Sequence, residues 1–282
     1  MKIEIAKNAG FCFGVKRALA LIEDNVKKIK KPISMYGHLV HNEEVIKRLL
    51  AKGIKVIDNL EKIRRGTLII TAHGISPKMK EELLKQKGLN LVDTTCPKVL
   101  LVQNLAKLLH KQGRQVLIFG DVDHQEVKGI KGAADDQAIV FSSEKEFKKI
   151  NLDQKKKYGL VVQTTKDFEE FKKLEKKIKE KIKDIRIFNT ICQATRQRQR
   201  EVRELAKTQD LVLVVGSKTS ANTTRLYQIG LGINPNTYFV ATSQQVKEKW
   251  FKNKKRVGIT AGASTPDWII NQVVQRVQNI RN

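Results

Sequence analysis

The sequence holds three cysteines, Cys12, Cys96 and Cys192, and each opens the same layout of chemistry-bearing residues. Downstream of each, a short apolar run ends in a glycine, and a hydrogen-bonding side chain stands four residues further on. The steps are 25 residues from Cys12 to Gly37, 24 from Cys96 to Gly120 and 24 from Cys192 to Gly216; the side chains are His41, His124 and Ser220. A second apolar run in each block closes on small or polar residues: "TLIITAHGIS" carries His73, "YGLVVQTTKD" carries Thr164 and Thr165, and "VGITAGASTP" carries Ser264. Side-chain identity between the blocks is low, so the repeat lies in the placement of strand ends, thiols and turns. A single cysteine reads most simply as a small buried hydrophobe. Three at equivalent stations argue for a shared task.

Three thiolates gathered at one point can bind zinc with a histidine as fourth ligand, or an iron-sulfur cluster. The dense C-x-x-C spacing of structural zinc sites is missing. Ligands delivered one per block suit a larger inorganic object, and a 4Fe-4S cube held by three cysteines keeps one iron open. The block alignment gathers His41, His73 and His124 around the cysteines, with Thr164, Thr165, Ser220, Asn222 and Ser264. These donors carry little fixed charge, and together with helix N-termini they suit a diphosphate. Glu126, two residues beyond His124, is the one carboxylate the alignment brings close. Asp121 and Asp123 look like turn acids. No G-x-x-x-x-G-K-[ST] loop and no strand-linked G-x-G-x-x-G occurs, so ordinary nucleotide binding is not supported.

Positioning these residues takes a strand, a polar turn and a helix, repeated, which is the pattern of an α/β protein with mainly parallel sheets. Gly53 and Gly88 follow "VIKRLLAK" and "KMKEELLKQK" as helix stops. In such sheets ligands bind beyond the carboxyl ends of the strands, where every marked residue falls. The expected division is 1–12 for an opening strand and first ligand, 13–96, 97–191 and 192–282 for three small α/β domains, the opening strand pairing in space with the third. A chain of 282 residues with 40% hydrophobic residues can bury a core. Its longest apolar runs, such as "LVLVV" at 211–215, are too short to span a bilayer, and "MKIEIAKNAG" has no signal-peptide apolar stretch, so a cytoplasmic location is expected. An odd, widely spaced set of cysteines argues against a disulfide framework.

The motifs "GFCFGVKRA", "HLVHNEEV", "AHGIS", "DTTCPKV", "DVDHQEV", "QTT", "CQATRQRQ", "VGSKTSANTTRL" and "TAGASTPDWII" occur in order from about residue 8 to about residue 270. In this set the chain resembles the 4-hydroxy-3-methylbut-2-enyl diphosphate reductase family. The resemblance implies three pseudo-repeated α/β domains arranged as a trefoil around a central cavity, with a 4Fe-4S cluster held by Cys12, Cys96 and Cys192. It implies reductive dehydroxylation of an allylic diphosphate to isopentenyl and dimethylallyl diphosphate, the last step of non-mevalonate isoprenoid biosynthesis. Position by position it assigns diphosphate contacts to His41, His73, His124, Ser220, Asn222 and Ser264, proton donation to Glu126 with His124 beside it, and substrate orientation to Thr165 with Thr164. Where many members carry serine this chain has Ala221, whose backbone N–H can serve as donor in place of a hydroxyl.

The charge stands apart from this pattern: 55 Lys+Arg against 29 Asp+Glu give +26. A basic nucleic-acid-binding or ribosome-associated protein with a structural metal is the alternative that charge alone supports. Yet stretches such as "FKKLEKKIKEKIK" (171–183) place apolar residues at helical spacing and lysines on the remaining face, as a solvated surface does. The reductase reading gives the charge another use, recruitment of an acidic electron donor of ferredoxin or flavodoxin type by a chain that closes on itself as a monomer. Turnover driven by such a carrier is then expected to fall steeply as salt rises, with a small uncharged reductant as control; equal salt dependence for the two would remove the electrostatic role.

Overall fold

The computed structural model describes residues 1–26, 30–60 and 63–280. In chain order the first elements are β1 (Lys2–Ile5), α1 (Phe13–Val26), β2 (Ile33–Tyr36), α2 (Glu43–Ala51), β3 (Ile54–Ile57), β4 (Gly66–Ile70), α3 (Pro77–Leu84) and β5 (Leu89–Asp93). Next come α4 (Pro97–Lys111), β6 (Gln115–Phe119), α5 (Gln125–Ala133), β7 (Ile139–Phe141), α6 (Glu144–Phe147), β8 (Tyr158–Val162), α7 (Phe168–Lys181) and β9 (Ile185–Ile187). The chain continues through α8 (Gln193–Thr208), β10 (Leu211–Val215), α9 (Ala221–Leu231), β11 (Thr237–Val240), β12 (Arg256–Ala261) and α10 (Asp267–Gln278).

The strands form three four-stranded sheets, ordered β3-β2-β4-β5, β7-β6-β8-β9 and β11-β10-β12-β1, and every pairing is parallel. The orders are the same pattern three times. In the third sheet the outer place held elsewhere by β5 and β9 is taken by β1, with Lys2 beside Arg256 and Ile5 beside Ile259. The repeat is therefore permuted: the first strand of the chain completes the last sheet.

Two compact bodies result, one of residues 1–16, 40–48 and 193–282, which holds the third sheet, and one of 17–39 and 49–192, which holds the other two. Parallel sheets need cover on both faces, so their central strands are apolar without alternation. β4, β8 and β10 are buried at every residue. One face of the β10 sheet packs Leu211, Leu213 and Val215 on Ile269, Ile270 and Val273 of α10; Val212 and Val214 on the other meet Val202 and Leu205 of α8 and Leu226 of α9. The β6 sheet is sandwiched likewise, with Phe171, Leu174 and Ile178 of α7 on one side and Val102, Ala106 and Leu109 of α4 on the other. The lysine-rich segment is α7 as its periodicity predicts, apolar stripe inward.

Strand ends repeat as closely as strand order. The glycine after the second-ranked strand of each sheet donates its N–H to the last residue of the neighbouring edge strand: Gly37 to Ile57, Gly120 to Phe141 and Gly216 to Val240, each at 2.9 Å. After β4, β8 and β12 the chain makes one type of turn, with Gly74 N–H bonded to Thr71 O, Lys166 to Gln163 O and Thr265 to Gly262 O. His73, Thr165 and Ser264 all occupy the third residue after the strand in these turns. A Cβ at Gly216 would stand 2.6 Å from Thr265 Oγ1, and its φ of +147° suits only glycine there.

Candidate functional site

Each cysteine is the residue immediately before a helix: Cys12 before α1, Cys96 before α4, Cys192 before α8. All three are half-buried and none is in a disulfide. The backbone N–H of each donates to the carbonyl of the second residue past the end of β12, β4 or β8: Cys12 to Ala263 (3.2 Å), Cys96 to Ala72 (3.0 Å) and Cys192 to Thr164 (3.0 Å). One hydrogen bond thus sets the same station three times. The N-terminus of a helix, with its outward N–H groups and partial positive charge, suits an anionic sulfur ligand, and thiolate is the donor that iron-sulfur clusters take.

In the larger body the turns after β6 and β8 meet. His124 caps α5, its Nδ1 accepting the Glu126 N–H at 3.2 Å, so a neutral His124 carries its proton on Nε2, as a donor. The His73 ring lies edge-on to it, centroids 5.5 Å apart and planes at 79°. Glu126 is buried at 1% exposure and accepts from both the N–H and the Oγ1 of Thr164, each at 2.7 Å. Burial pushes its carboxyl up to about 7; the two Thr164 bonds pull against that, and the charge of Asp121 adds to it. Thr165 accepts at Oγ1 from Gln163 Nε2 (2.9 Å), which leaves the threonine's own proton for another acceptor, and Gln163 Oε1 accepts the Asp121 N–H (2.8 Å).

In the other body Ser220 caps α9, accepting from Thr223 N–H at 3.3 Å, and the Ser264 hydroxyl lies 3.3 Å from both Ser220 Oγ and the His41 carbonyl. Ala221 is the first residue of α9, where a backbone N–H has no partner within the helix. Asn222 follows at 4% exposure, and neither its Nδ2 nor its Oδ1 has a hydrogen-bond partner among the described residues. Two buried, unsatisfied amide atoms cost on the order of 1–3 kcal/mol each. A polar ligand at the head of α9 removes that cost.

Four supporting residues escape a sequence reading. Asn42, rather than His41, caps α2 by accepting the Val45 N–H at 3.2 Å. Buried Arg198 donates to Gly10 O (2.6 Å) and Ala194 O (2.9 Å), clamping the segment before Cys12 onto α8. Gln163 and Lys166 brace the Thr164–Thr165 turn. Gln163 and Arg198 lie inside the quoted motifs, but their partners are 42 and 188 residues away. No local signal identifies them.

Residues 3–278 match the family model described as "LytB protein". A protein of Syntrophotalea carbinolica named 4-hydroxy-3-methylbut-2-enyl diphosphate reductase is 44% identical over 281 residues, 99% of each chain. One of Geobacter metallireducens with the same name is 41% identical over 280 residues, covering 99% of this chain and 98% of that one. Among solved structures, the E-1-hydroxy-2-methyl-but-2-enyl-4-diphosphate reductase of Plasmodium falciparum superposes with a TM-score of 0.93 at 30% identity, covering 99% of this chain and 88% of that one. An (E)-4-hydroxy-3-methyl-but-2-enyl diphosphate reductase, described as the terminal enzyme of the non-mevalonate pathway, gives 0.71 at 39% identity, covering 99% and 100%.

The raised carboxyl of Glu126 links stability to pH. A folded-state value of about 7, above the ordinary 4.5 of a glutamate, means that the contribution of this group is intact below pH 4.5 and is lost as pH rises through 7. Glutamine mimics the protonated form and keeps both Thr164 partners. The stability of Glu126→Gln relative to wild type is therefore expected to rise between pH 5 and pH 8, by about 3 kcal/mol at most. Paired urea melts measure it, since other titrating groups are common to both proteins; a gap independent of pH removes the shift.

Proposed function

The chain belongs to the LytB family, and from that we propose that its cysteines and strand-end donors carry out the reductive dehydroxylation of (E)-4-hydroxy-3-methylbut-2-enyl diphosphate to isopentenyl and dimethylallyl diphosphate. It is an iron-sulfur oxidoreductase of isoprenoid biosynthesis, at the terminal step of the non-mevalonate route. The observation that carries the reading is the threefold recurrence of a cysteine at a helix head, tied by its N–H to the same place past the strand. We assign Cys12, Cys96 and Cys192 as ligands of a 4Fe-4S cluster, because three thiolates leave one of four irons unclaimed by the protein. When bound, such a cluster supplies single electrons and an open iron that acts as a Lewis acid.

The remaining work falls to side chains. His41, His73, His124, Ser220, Asn222 and Ser264 are assigned to the diphosphate, with Ala221 contributing its N–H at the start of α9. The bond that fixes His124 Nδ1 leaves Nε2–H as donor, and Asn222 gains the partners its buried amide lacks. Glu126 is the general acid. Near neutral pH a large share of its carboxyl is protonated, and the proton goes to the departing hydroxyl as water forms. Thr164 holds that carboxyl, and Thr165 turns its free O–H toward a substrate oxygen.

The charge of +26 supports an acidic ferredoxin- or flavodoxin-type carrier as reductant. We place the enzyme in the cytoplasm as a monomer; no described helix is long and apolar enough to cross a membrane. The nucleic-acid reading gains no support, because its charge includes ordinary solvated faces such as that of α7 and the named relatives are reductases.

Anaerobic purification tests the reading. Expected is a brown protein with about four iron and four sulfide per chain. Glu126→Gln is expected to bind substrate normally and to lose roughly two to four powers of ten in turnover. A colourless protein holding zinc or no metal overturns the cluster, and near wild-type turnover in Glu126→Gln removes the acid.

A further inference from the structure

We propose that Lys166 is a positioning residue for the reaction: its buried ammonium group ties together the ends of β6, β7 and β8 and so holds the Thr164–Thr165 turn against the turn that carries His124 and Glu126. The inference rests on the roles given above to Thr165 and Glu126. Lys166 Nζ donates to Asp121 Oδ1 at 3.0 Å, in the turn after β6, and to Ser142 O at 2.9 Å, the residue after β7. It lies 4.6 Å from the centroid of the Phe119 ring, at the end of β6 itself. The lysine side chain is 3% exposed, whereas that of Asp121 is 48% exposed, so one end of the pair is desolvated and the other is wet.

A buried ammonium is costly unless its N–H groups are met. Here a carboxylate, a carbonyl and a ring face meet it, each from a different position around one strand-end cleft. The same turn grips Asp121 a second time, through Gln163 Oε1 on its N–H. Between the two grips lie Thr164 and Thr165. One residue further, Asp167 caps α7 by accepting from the Glu170 N–H at 2.7 Å, so the turn is anchored at its far end as well.

Comparison of the three repeats shows what is particular to this one. The residue equivalent to Lys166, fourth after the strand, is Gly74 in the first sheet and Thr265 in the third; the residue equivalent to Asp121 is His38 and Ser217. Those two turns close with the same backbone bond, and glycine or threonine there has no charged group to pair. The fold itself therefore does not require the strap. It occurs in the one repeat whose two turns share a buried carboxyl, where the Glu126–Thr164 distances of 2.7 Å depend on how the turns meet.

The test uses the cluster-loaded full chain and two readouts, steady-state turnover with a chemical reductant and amide hydrogen exchange. In Lys166→Met, exchange across 163–167 is expected to quicken about tenfold or more while α4 and α8 keep their protection. Turnover is expected to fall about tenfold or more with KM changed less than about threefold, since misplacement of a positioned group acts on the chemical step. In a Thr165→Ala background the same lysine substitution is expected to cost less than about twofold, because the two changes share one path. Asp121→Ala, at the half-exposed end, is expected to move both readouts in the same direction by about threefold, and it decides the matter should Lys166→Met not fold. Unchanged exchange and turnover, or losses that multiply in the Thr165→Ala background, overturn the proposal. An inactive loaded wild type would overturn the functional reading instead, and exchange would still judge the strap.

Discussion

The hydrogen bond from each cysteine's N–H to the carbonyl just past a central strand is the constraint on which the rest depends. It fixes three things together: the thiol at a strand's carboxyl end, the start of the following helix, and the path of the turn that supplies the acceptor. That turn also holds His73, Thr165 or Ser264. Thiol and turn side chain are consequently placed by one contact in each repeat. A buried backbone N–H left unpaired is costly, so the placement is enforced by the same satisfaction rule that builds the sheets.

Parallel sheets explain why functional residues can be so sparse in sequence. In a β-turn-α-turn-β alternation all strand ends of one sheet point the same way, and each connection returns a new turn to that edge. Each sheet here brings several turns and helix heads to its carboxyl edge. The permuted third repeat obeys the same geometry although its last strand is β1, the first of the chain. Pairing of Lys2–Ile5 with Arg256–Ile259 brings Cys12 to the place that Cys96 and Cys192 reach by continuous chain, beside the turn after the third strand of the sheet.

The sequence made much of this legible because the signals are periodic. Runs such as "LVLVV" and "YGLVV" are buried strands, the stripe of Phe171, Leu174 and Ile178 is an inward helix face, and the glycines at 37, 120 and 216 mark strand ends. Residue type at a strand end also pointed to Glu126, Thr164 and Asn222. What could not be read was partnership across the sheet. That Glu126 is held by Thr164, that Gln163 spans from Asp121 to Thr165, and that Asn42 rather than His41 caps α2 depend on distances between turns tens of residues apart or on a one-residue shift of a helix start. No local pattern around Glu126 shows that its carboxyl is raised. In the structure burial is its largest cause, and it is present before any anion binds.

On the proposed assignment, that burial bears on how the site would respond to a diphosphate. Glu126 and His124 are joined by the cap of α5, the acid's own N–H bonded to His124 Nδ1. An anion held on the Nε2 side of His124 places negative charge near a carboxyl already at about 7, and like charge disfavours ionisation. Anion binding and protonation of Glu126 must then favour each other, since coupling between two sites is reciprocal. With Glu126 as the proposed acid and a diphosphate at His124, the carboxyl would be more fully protonated with the anion bound than without it. The two Thr164 hydrogen bonds oppose the shift and keep the value near neutrality rather than far above it, so the group retains enough acidity to give its proton away.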